Sequence, residues 1–171
     1  MFCTPIDAGT QELIRNAVST RDLAYCPYSK FSVGAALLCS DDTVFTGCNV
    51  ENIAYGATIC AEKCSIVKAI SSGKLQFKAI VVTAHSDTGF ISPCGSCRQF
   101  IAEFGSDIVI YLAKPDLSTV LISSIKEILP LAFSSMWFYN FYWILYVFFC
   151  QVYWVQNYNP QLILKQDHWF E

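Results

Sequence analysis

The sequence predicts an α/β fold in which a mixed sheet of about five strands lies between helices, as a three-layer α-β-α sandwich. In residues 1–130, short apolar runs of strand length alternate with segments whose apolar residues recur every three or four positions. Turn-forming residues separate these segments. The chain of 171 residues, 54% of them hydrophobic, is also long enough for one domain with a substantial core.

The first third of the chain predicts one helix, two strands and a loop. Mixed three-and-four spacing of apolar residues predicts an amphipathic helix over residues 10–24. The apolar runs at residues 31–39 and 43–48 predict a β-hairpin, because the turn-forming residues 40–42 lie between them. Residues 49–58 contain Asn and Gly without any period, which is typical of a loop.

The rest of the domain alternates strands with helices. One helix starts at Ile59 and stops at residues 71–73, and a second starts around Ser92 and ends before Gly105. The predicted strands are residues 79–84, 108–113 and 119–123, and the last element is a short helix at residues 125–129.

Charge and cysteine content limit the classes of function. With 11 basic and 14 acidic side chains the formal net charge is −3, which argues against a nucleic acid polymer as partner. The first residues have neither a basic nor an apolar segment of the kind that directs export, so we expect a reducing, cytoplasmic environment. In such a compartment, paired residues among the nine cysteines are more often metal ligands or catalytic groups than disulfides.

Three cysteines and one glutamate form the most informative pattern. Cys94 and Cys97 stand at Cys-x-x-Cys spacing at a predicted helix start, and Cys60 stands at the start of the preceding helix. Three thiolates hold one Zn²⁺ per chain and leave its fourth position open for water. Glu62, two residues from Cys60, is placed to carry protons beside that water without binding the metal.

Cys64 offers an alternative to this open site. It follows Cys60 by four residues and so shares its helical face, which would allow a closed, structural zinc site with four thiolates. A structural site binds no water, however, so Glu62 would have no proton to transfer there. We therefore interpret Cys64 as a small buried residue.

The Cys-x-Glu and Pro-Cys-x-x-Cys motifs match the zinc deaminase signature in its three-cysteine form. Together with the sequence around these motifs, residues 10–133 resemble the cytidine deaminases of the short, homotetrameric kind. The matching segments are Cys26-Pro27-Tyr28-Ser29-Lys30-Phe31, Val33-Gly34-Ala35-Ala36, Gly47-Cys48-Asn49-Val50-Glu51-Asn52, Ile59-Cys60-Ala61-Glu62, Ile91-Ser92-Pro93-Cys94-Gly95-Ser96-Cys97-Arg98-Gln99 and Lys114-Pro115-Asp116.

The resemblance implies a role for each matching position. The zinc ligands fall on Cys60, Cys94 and Cys97, and the proton-shuttling carboxylate falls on Glu62. The substrate-binding positions it implies are Asn49 and Glu51 for the ribose, Phe31 for stacking on the base, Ala61, and Phe133, which would reach a neighbouring subunit's site.

One position departs from the family. Zn²⁺ with three thiolates carries a net charge of −1, and the family usually places an arginine directly after the glutamate; here that residue is Lys63. We expect Lys63, with Arg98 as a second cation, to compensate the charge, together with the two helix N-termini.

The reaction that the resemblance implies is hydrolytic deamination of free cytidine and deoxycytidine to uridine and deoxyuridine, in pyrimidine salvage. The implied assembly is a homotetramer with active sites between subunits. Two alternatives remain open: a deaminase of a related aminated nucleoside, such as a cytosine-containing antibiotic, and an inactive or regulatory isoform with a structural zinc site.

The chain divides by composition into residues 1–133, the predicted catalytic domain, and an apolar, aromatic tail at 134–171. Of the 26 aromatic residues, 15 lie in residues 131–171, whereas 22 of the 25 charged residues precede residue 131. Residues 136–155 have the length of a membrane span but lack flanking Lys and Arg. Three hypotheses stand: a membrane anchor, a packing element at a subunit interface, or sequence never selected for folding, such as an alternative last exon.

Overall fold

Five strands form one mixed sheet in a computed structural model that describes residues 6–87 and 89–133. In chain order they are β1 (Val33–Cys39), β2 (Val44–Cys48), β3 (Phe77–Ala84), β4 (Val109–Ala113) and β5 (Val120–Ser124). Their spatial order is β2-β1-β3-β4-β5; β3 and β4 are parallel and the other neighbours are antiparallel. The predicted mixed sheet of five strands is confirmed.

Within the described residues, four α-helices accompany the sheet: α1 (Ala8–Arg21), α2 (Ala61–Ser71), α3 (Gly95–Ala102) and α4 (Ile125–Ile128). α1 differs from the prediction of residues 10–24. It begins earlier because the Asp7 carboxylate caps it, accepting a hydrogen bond from the Thr10 N–H at 2.9 Å. It ends at Arg21 because the chain then turns, and the Tyr25 N–H donates to the Asn49 carbonyl at 3.0 Å.

The core lies on both faces of the sheet. Successive strand residues point to opposite faces, so Ala36 of β1 packs with Leu13, Ile14 and Ala17 of α1, and the neighbouring Leu37 packs in the other cluster. Besides Leu37, that second cluster contains Ile66 and Ala69 of α2, Ile80 and Val82 of β3, and Ile101 of α3. The sheet therefore lies between two helical layers, as the sequence predicts.

Within residues 6–87 and 89–133, no helix combines the length and the apolar character required to cross a bilayer. The predicted tail domain 134–171, with the candidate span at 136–155, lies outside the described residues.

Candidate zinc and nucleoside site

The starts of two helices bring three cysteine sulfurs together. Cys60 is the N-cap residue of α2, Cys94 is the N-cap residue of α3, and Cys97 lies in the first turn of α3. The three sulfur atoms all lie within 4.8 Å of one another. α3 connects the parallel strands β3 and β4, so its first turn follows the carboxyl end of β3.

The chemistry of this cluster fits Zn²⁺, which binds thiolates in tetrahedral sites and keeps one position open when the protein supplies three ligands. Cys64 is not in the cluster. The Cys64 side chain faces β2 instead. It lies so close to Gly47 of β2 that a Cβ added to this glycine would be only 2.8 Å from the Cys64 Cβ. The hypothesis of a closed site with four thiolates therefore finds no support in the structure.

One thiol of the cluster ionises more readily than an ordinary cysteine, because its pKa is lowered. The hydrogen bond with the Cys97 side chain lowers the pKa of Cys60 to about 6, against the opposing effect of burial. That same hydrogen bond, together with burial, raises the pKa of Cys97. Cys60 is therefore the first of the pair to ionise and the first to offer a charged sulfur to a metal ion.

Glu62 lies beside the sulfur cluster and is almost completely buried, with 4% of its surface exposed. Burial raises the pKa of its carboxyl, and contact with the Cys97 side chain acts in the opposite direction. A buried carboxyl next to a metal site, with its pKa raised above the ordinary value, is suited to take up and release protons there.

Gly47 of β2 sets the position of the helix that carries Glu62. A Cβ on Gly47 would lie 2.5 Å from the Ser65 nitrogen and 2.6 Å from the Ala61 carbonyl oxygen, so α2 packs directly on the strand backbone. This role was not predicted from the sequence. A glycine inside an apolar strand indicates close approach of another backbone, and Gly47 is such a residue.

Residues 49–51, predicted as loop, are held between two other segments. Val50 exchanges two backbone hydrogen bonds with Ile59, at 2.9 and 3.0 Å. On the other side, the Glu51 N–H donates to the Tyr25 carbonyl at 2.7 Å. Because this pairing is antiparallel and Cys60 directly follows Ile59, Asn49 lies opposite Cys60 and Glu51 lies opposite Thr58.

Both predicted ribose ligands are nearly buried and hold the segment that precedes β1. Asn49, 8% exposed, accepts from the Val33 N–H and donates to the Phe31 carbonyl, each at 2.8 Å. Glu51, 7% exposed, accepts from the Tyr28 N–H at 2.9 Å. The second amide hydrogen of Asn49 and further lone pairs on Glu51 can still bind a sugar.

The predicted charge-compensating cations bind other groups. The Lys63 ammonium donates to the Ser96 hydroxyl at 2.8 Å and lies 5.7 Å from the centre of the Phe100 ring, so it connects α2 to α3 across the site. Arg98 donates to the Pro93 and Ile128 carbonyls and to the Ser92 hydroxyl, which fixes the segment before α3. Charge compensation by these two residues stays a prediction.

The remaining predicted substrate residues differ in exposure. Ala61 is completely buried at the start of α2, and Phe31 is 40% exposed. Phe133 is exposed, and its carbonyl accepts a hydrogen bond from the Gln99 side chain at 2.6 Å. The roles of Ala61, Phe31 and Phe133 stay predictions.

Comparison with known proteins agrees with this site. Residues 8–113 match the family model described as the cytidine and deoxycytidylate deaminase zinc-binding region. A probable cytidine deaminase of Dictyostelium discoideum is 49% identical over 125 residues, covering 73% of this chain and 84% of the relative. The cytidine deaminase of Sporosarcina psychrophila is 46% identical over 128 residues, covering 73% and 91%.

A solved structure has the same fold. The crystal structure of cytidine deaminase from Burkholderia pseudomallei aligns with a TM-score of 0.68 at 41% identity, covering 72% of this chain and 98% of that one.

Proposed function

The chain belongs to the cytidine and deoxycytidylate deaminase family, and we propose that it catalyses the zinc-dependent hydrolytic deamination of free cytidine and deoxycytidine. The products are ammonia and uridine or deoxyuridine. The observation that carries this function is the cluster of Cys60, Cys94 and Cys97 sulfurs with the buried carboxyl of Glu62 beside it.

The three cysteines hold the metal and Glu62 moves the protons. Zn²⁺ held at these sulfurs would lower the pKa of a bound water to about 7, and this water would be the nucleophile for C4 of the cytosine ring. The Glu62 carboxylate takes the proton that this water loses and passes it to ring N3. It then transfers the second water proton to the amino group, which leaves as ammonia.

Three further residues would hold the substrate. Asn49 and Glu51 hydrogen-bond the ribose hydroxyls, and Phe31 stacks on the base. The Asn49 and Glu51 side chains are fixed by hydrogen bonds to backbone groups, which lowers the entropic cost of binding a sugar. Contacts to the ribose hydroxyls and the base suit a free nucleoside. The formal net charge of −3 also argues against a polynucleotide substrate.

The assembly that we propose is a homotetramer, with Phe133 reaching the site of a neighbouring subunit. Large apolar side chains stay exposed in the two segments next to the site, which supports their burial against further copies of the chain. They are Leu23, Tyr25, Tyr28, Val50, Ile53, Tyr55 and Ile59. The reaction suits pyrimidine salvage in the cytoplasm, where thiolate ligands stay reduced.

Ultraviolet monitoring of cytidine loss by the full-length protein, with zinc quantified on the same sample, tests this function. We expect turnover with about one zinc per chain. The Glu62→Gln variant keeps the size of the side chain and loses its acid and base function, so its kcat should fall at least about a hundredfold with zinc retained.

Two outcomes contradict the proposal. A Glu62→Gln variant as active as the wild type would show that Glu62 does not carry the protons. Zinc-loaded wild-type protein that turns over an aminated nucleoside antibiotic but not cytidine would assign the same chemistry to a different substrate.

A further inference from the structure

One serine side chain connects the residue predicted to bind the sugar with the residue predicted to stack on the base. The Ser29 hydroxyl hydrogen-bonds the Glu51 carboxylate, and it also accepts a hydrogen bond from the Phe31 N–H at 3.0 Å. From these contacts, and resting on the proposed function, we propose that Ser29 is a positioning residue that couples ribose recognition to base stacking.

The direction of the hydrogen bonds makes this link specific. A serine hydroxyl has one hydrogen to donate, and Glu51 in its ionised form only accepts. The hydroxyl hydrogen therefore points to Glu51, and an oxygen lone pair remains for the Phe31 N–H. The Ser29 backbone N–H adds a further bond to Glu51 at 3.2 Å, so this serine contacts the carboxylate twice.

The backbone between these residues needs such support. Lys30, between Ser29 and Phe31, has a φ of 58°, in the left-handed region that residues other than glycine rarely adopt. Its N–H donates to the Cys26 carbonyl at 3.1 Å, which closes the turn on one side. On the other side, the Ser29 hydroxyl accepts from the Phe31 N–H, and the Asn49 side chain donates to the Phe31 carbonyl at 2.8 Å. Losing the hydroxyl removes one of these two contacts and loosens the turn at Phe31.

Charge supports the same conclusion. The hydrogen bond from the Ser29 side chain is the largest of the effects that lower the pKa of Glu51. Ser29 thus stabilises the ionised carboxylate, the form that accepts hydrogen bonds from sugar hydroxyls.

The Ser29→Ala variant tests the proposal in the full-length, zinc-loaded protein. We expect KM for cytidine to rise about tenfold, because a charge-assisted hydrogen bond that fixes the binding site is lost. We expect kcat to change by less than about twofold, because the metal cluster and Glu62 are untouched. The Ser29→Thr variant, which keeps the hydroxyl, should recover most of the wild-type KM.

Ser32 provides the matched control. It lies in the same segment, but its hydroxyl bonds the Cys26 sulfur at 3.3 Å. The Ser32→Ala variant should therefore keep KM near the wild-type value. Equal KM values for Ser29→Ala and Ser32→Ala, or a fall in kcat of Ser29→Ala without a change in KM, would overturn the proposal.

A titration separates this inference from the proposed function. The pKa of Glu51, followed by carbon-13 NMR, should rise in Ser29→Ala and stay constant in Ser32→Ala, whether or not cytidine is the substrate. An unchanged Glu51 pKa overturns the role of Ser29, whereas wild-type protein without cytidine turnover overturns only the proposed function. If Ser29→Ala does not fold, Ser29→Cys, which keeps the size and donates weakly, takes its place.

Discussion

At the scale of single residues, we expect Lys63 to bring a positive charge to the three-sulfur cluster, because its contacts lie on the facing helix that carries two of the cysteines. The ammonium is held by the Ser96 hydroxyl and lies over the Phe100 ring, both on α3. This position allows it to offset the negative charge of three thiolates on Zn²⁺. The charge acts without the planar, two-pronged contact that an arginine makes.

We predict that Lys63→Ala weakens zinc binding by about twofold to fivefold, the size of effect expected for one partly solvated charge interaction. Competition with a chromogenic chelator measures the affinity. Lys68→Ala is the control, because Lys68 lies on the same helix and bonds the Thr46 carbonyl at 3.2 Å, away from the cysteines. Equal zinc affinities of the two variants would show that Lys63 has no electrostatic role.

Residues with a local sequence pattern were predictable and residues that act across the fold were not. Cys60, Cys94 and Cys97 stand in short motifs whose spacing specifies a metal, and the structure brings their sulfurs together. Ser29 and Ser96 have no such pattern. Their partners, Glu51 and Lys63, are distant in sequence, so their roles become visible only when the chain is folded.

At the scale of elements, the contact between β2 and α2 determines where the proton-carrying side chain lies. α2 approaches β2 so closely at Gly47 that any side chain there meets helix backbone atoms. A helix displaced from this strand carries Glu62 with it. The metal ligand at the cap of the same helix, Cys60, moves as well.

We predict that Gly47→Ala destabilises the protein by about 1–3 kcal/mol, as overpacking against a backbone does, and lowers kcat at the same time. Urea unfolding and steady-state kinetics measure the two effects. Gly56→Ala is the matched control, since a Cβ at that position meets nothing within 4 Å. A Gly47→Ala variant with wild-type stability would mean that α2 adjusts without cost.

The predicted elements agree with the structure where periodicity is strong. The five strands and four α-helices in the described part of the chain were predicted, because apolar spacing and turn residues mark them clearly. The segment at residues 49–58 was the least predictable. It contains the short 3-10 helix Tyr55–Ala57, and it pairs with its neighbours only through isolated bridges at Val50, which leave no repeating pattern in the sequence.

At the scale of the whole molecule, the exposed apolar side chains next to the site and the aromatic tail both bear on assembly. We predict that the full-length chain forms a particle of four copies, because one chain leaves these side chains exposed to water. Light scattering after size-exclusion chromatography measures the mass.

A chain ending at Ser134 is the comparison that tests the tail. Equal mass and equal activity of the two proteins, both soluble, would favour the tail as a packing element over an anchor or unselected sequence. A full-length protein that stays monomeric at micromolar concentration would contradict the proposed tetramer.

The capping cysteines impose a trade-off on how this protein evolves. Cys60 and Cys94 occupy positions where Ser, Asp or Asn ordinarily stabilise a helix, and neither makes a side-chain capping hydrogen bond. Replacing either with Asp would strengthen the helix start and remove a thiolate from the metal site, which weakens the three-sulfur ligand set. A screen for thermal stability in metal-free medium would therefore enrich inactive variants at these two positions, and their persistence as cysteine depends on selection for turnover.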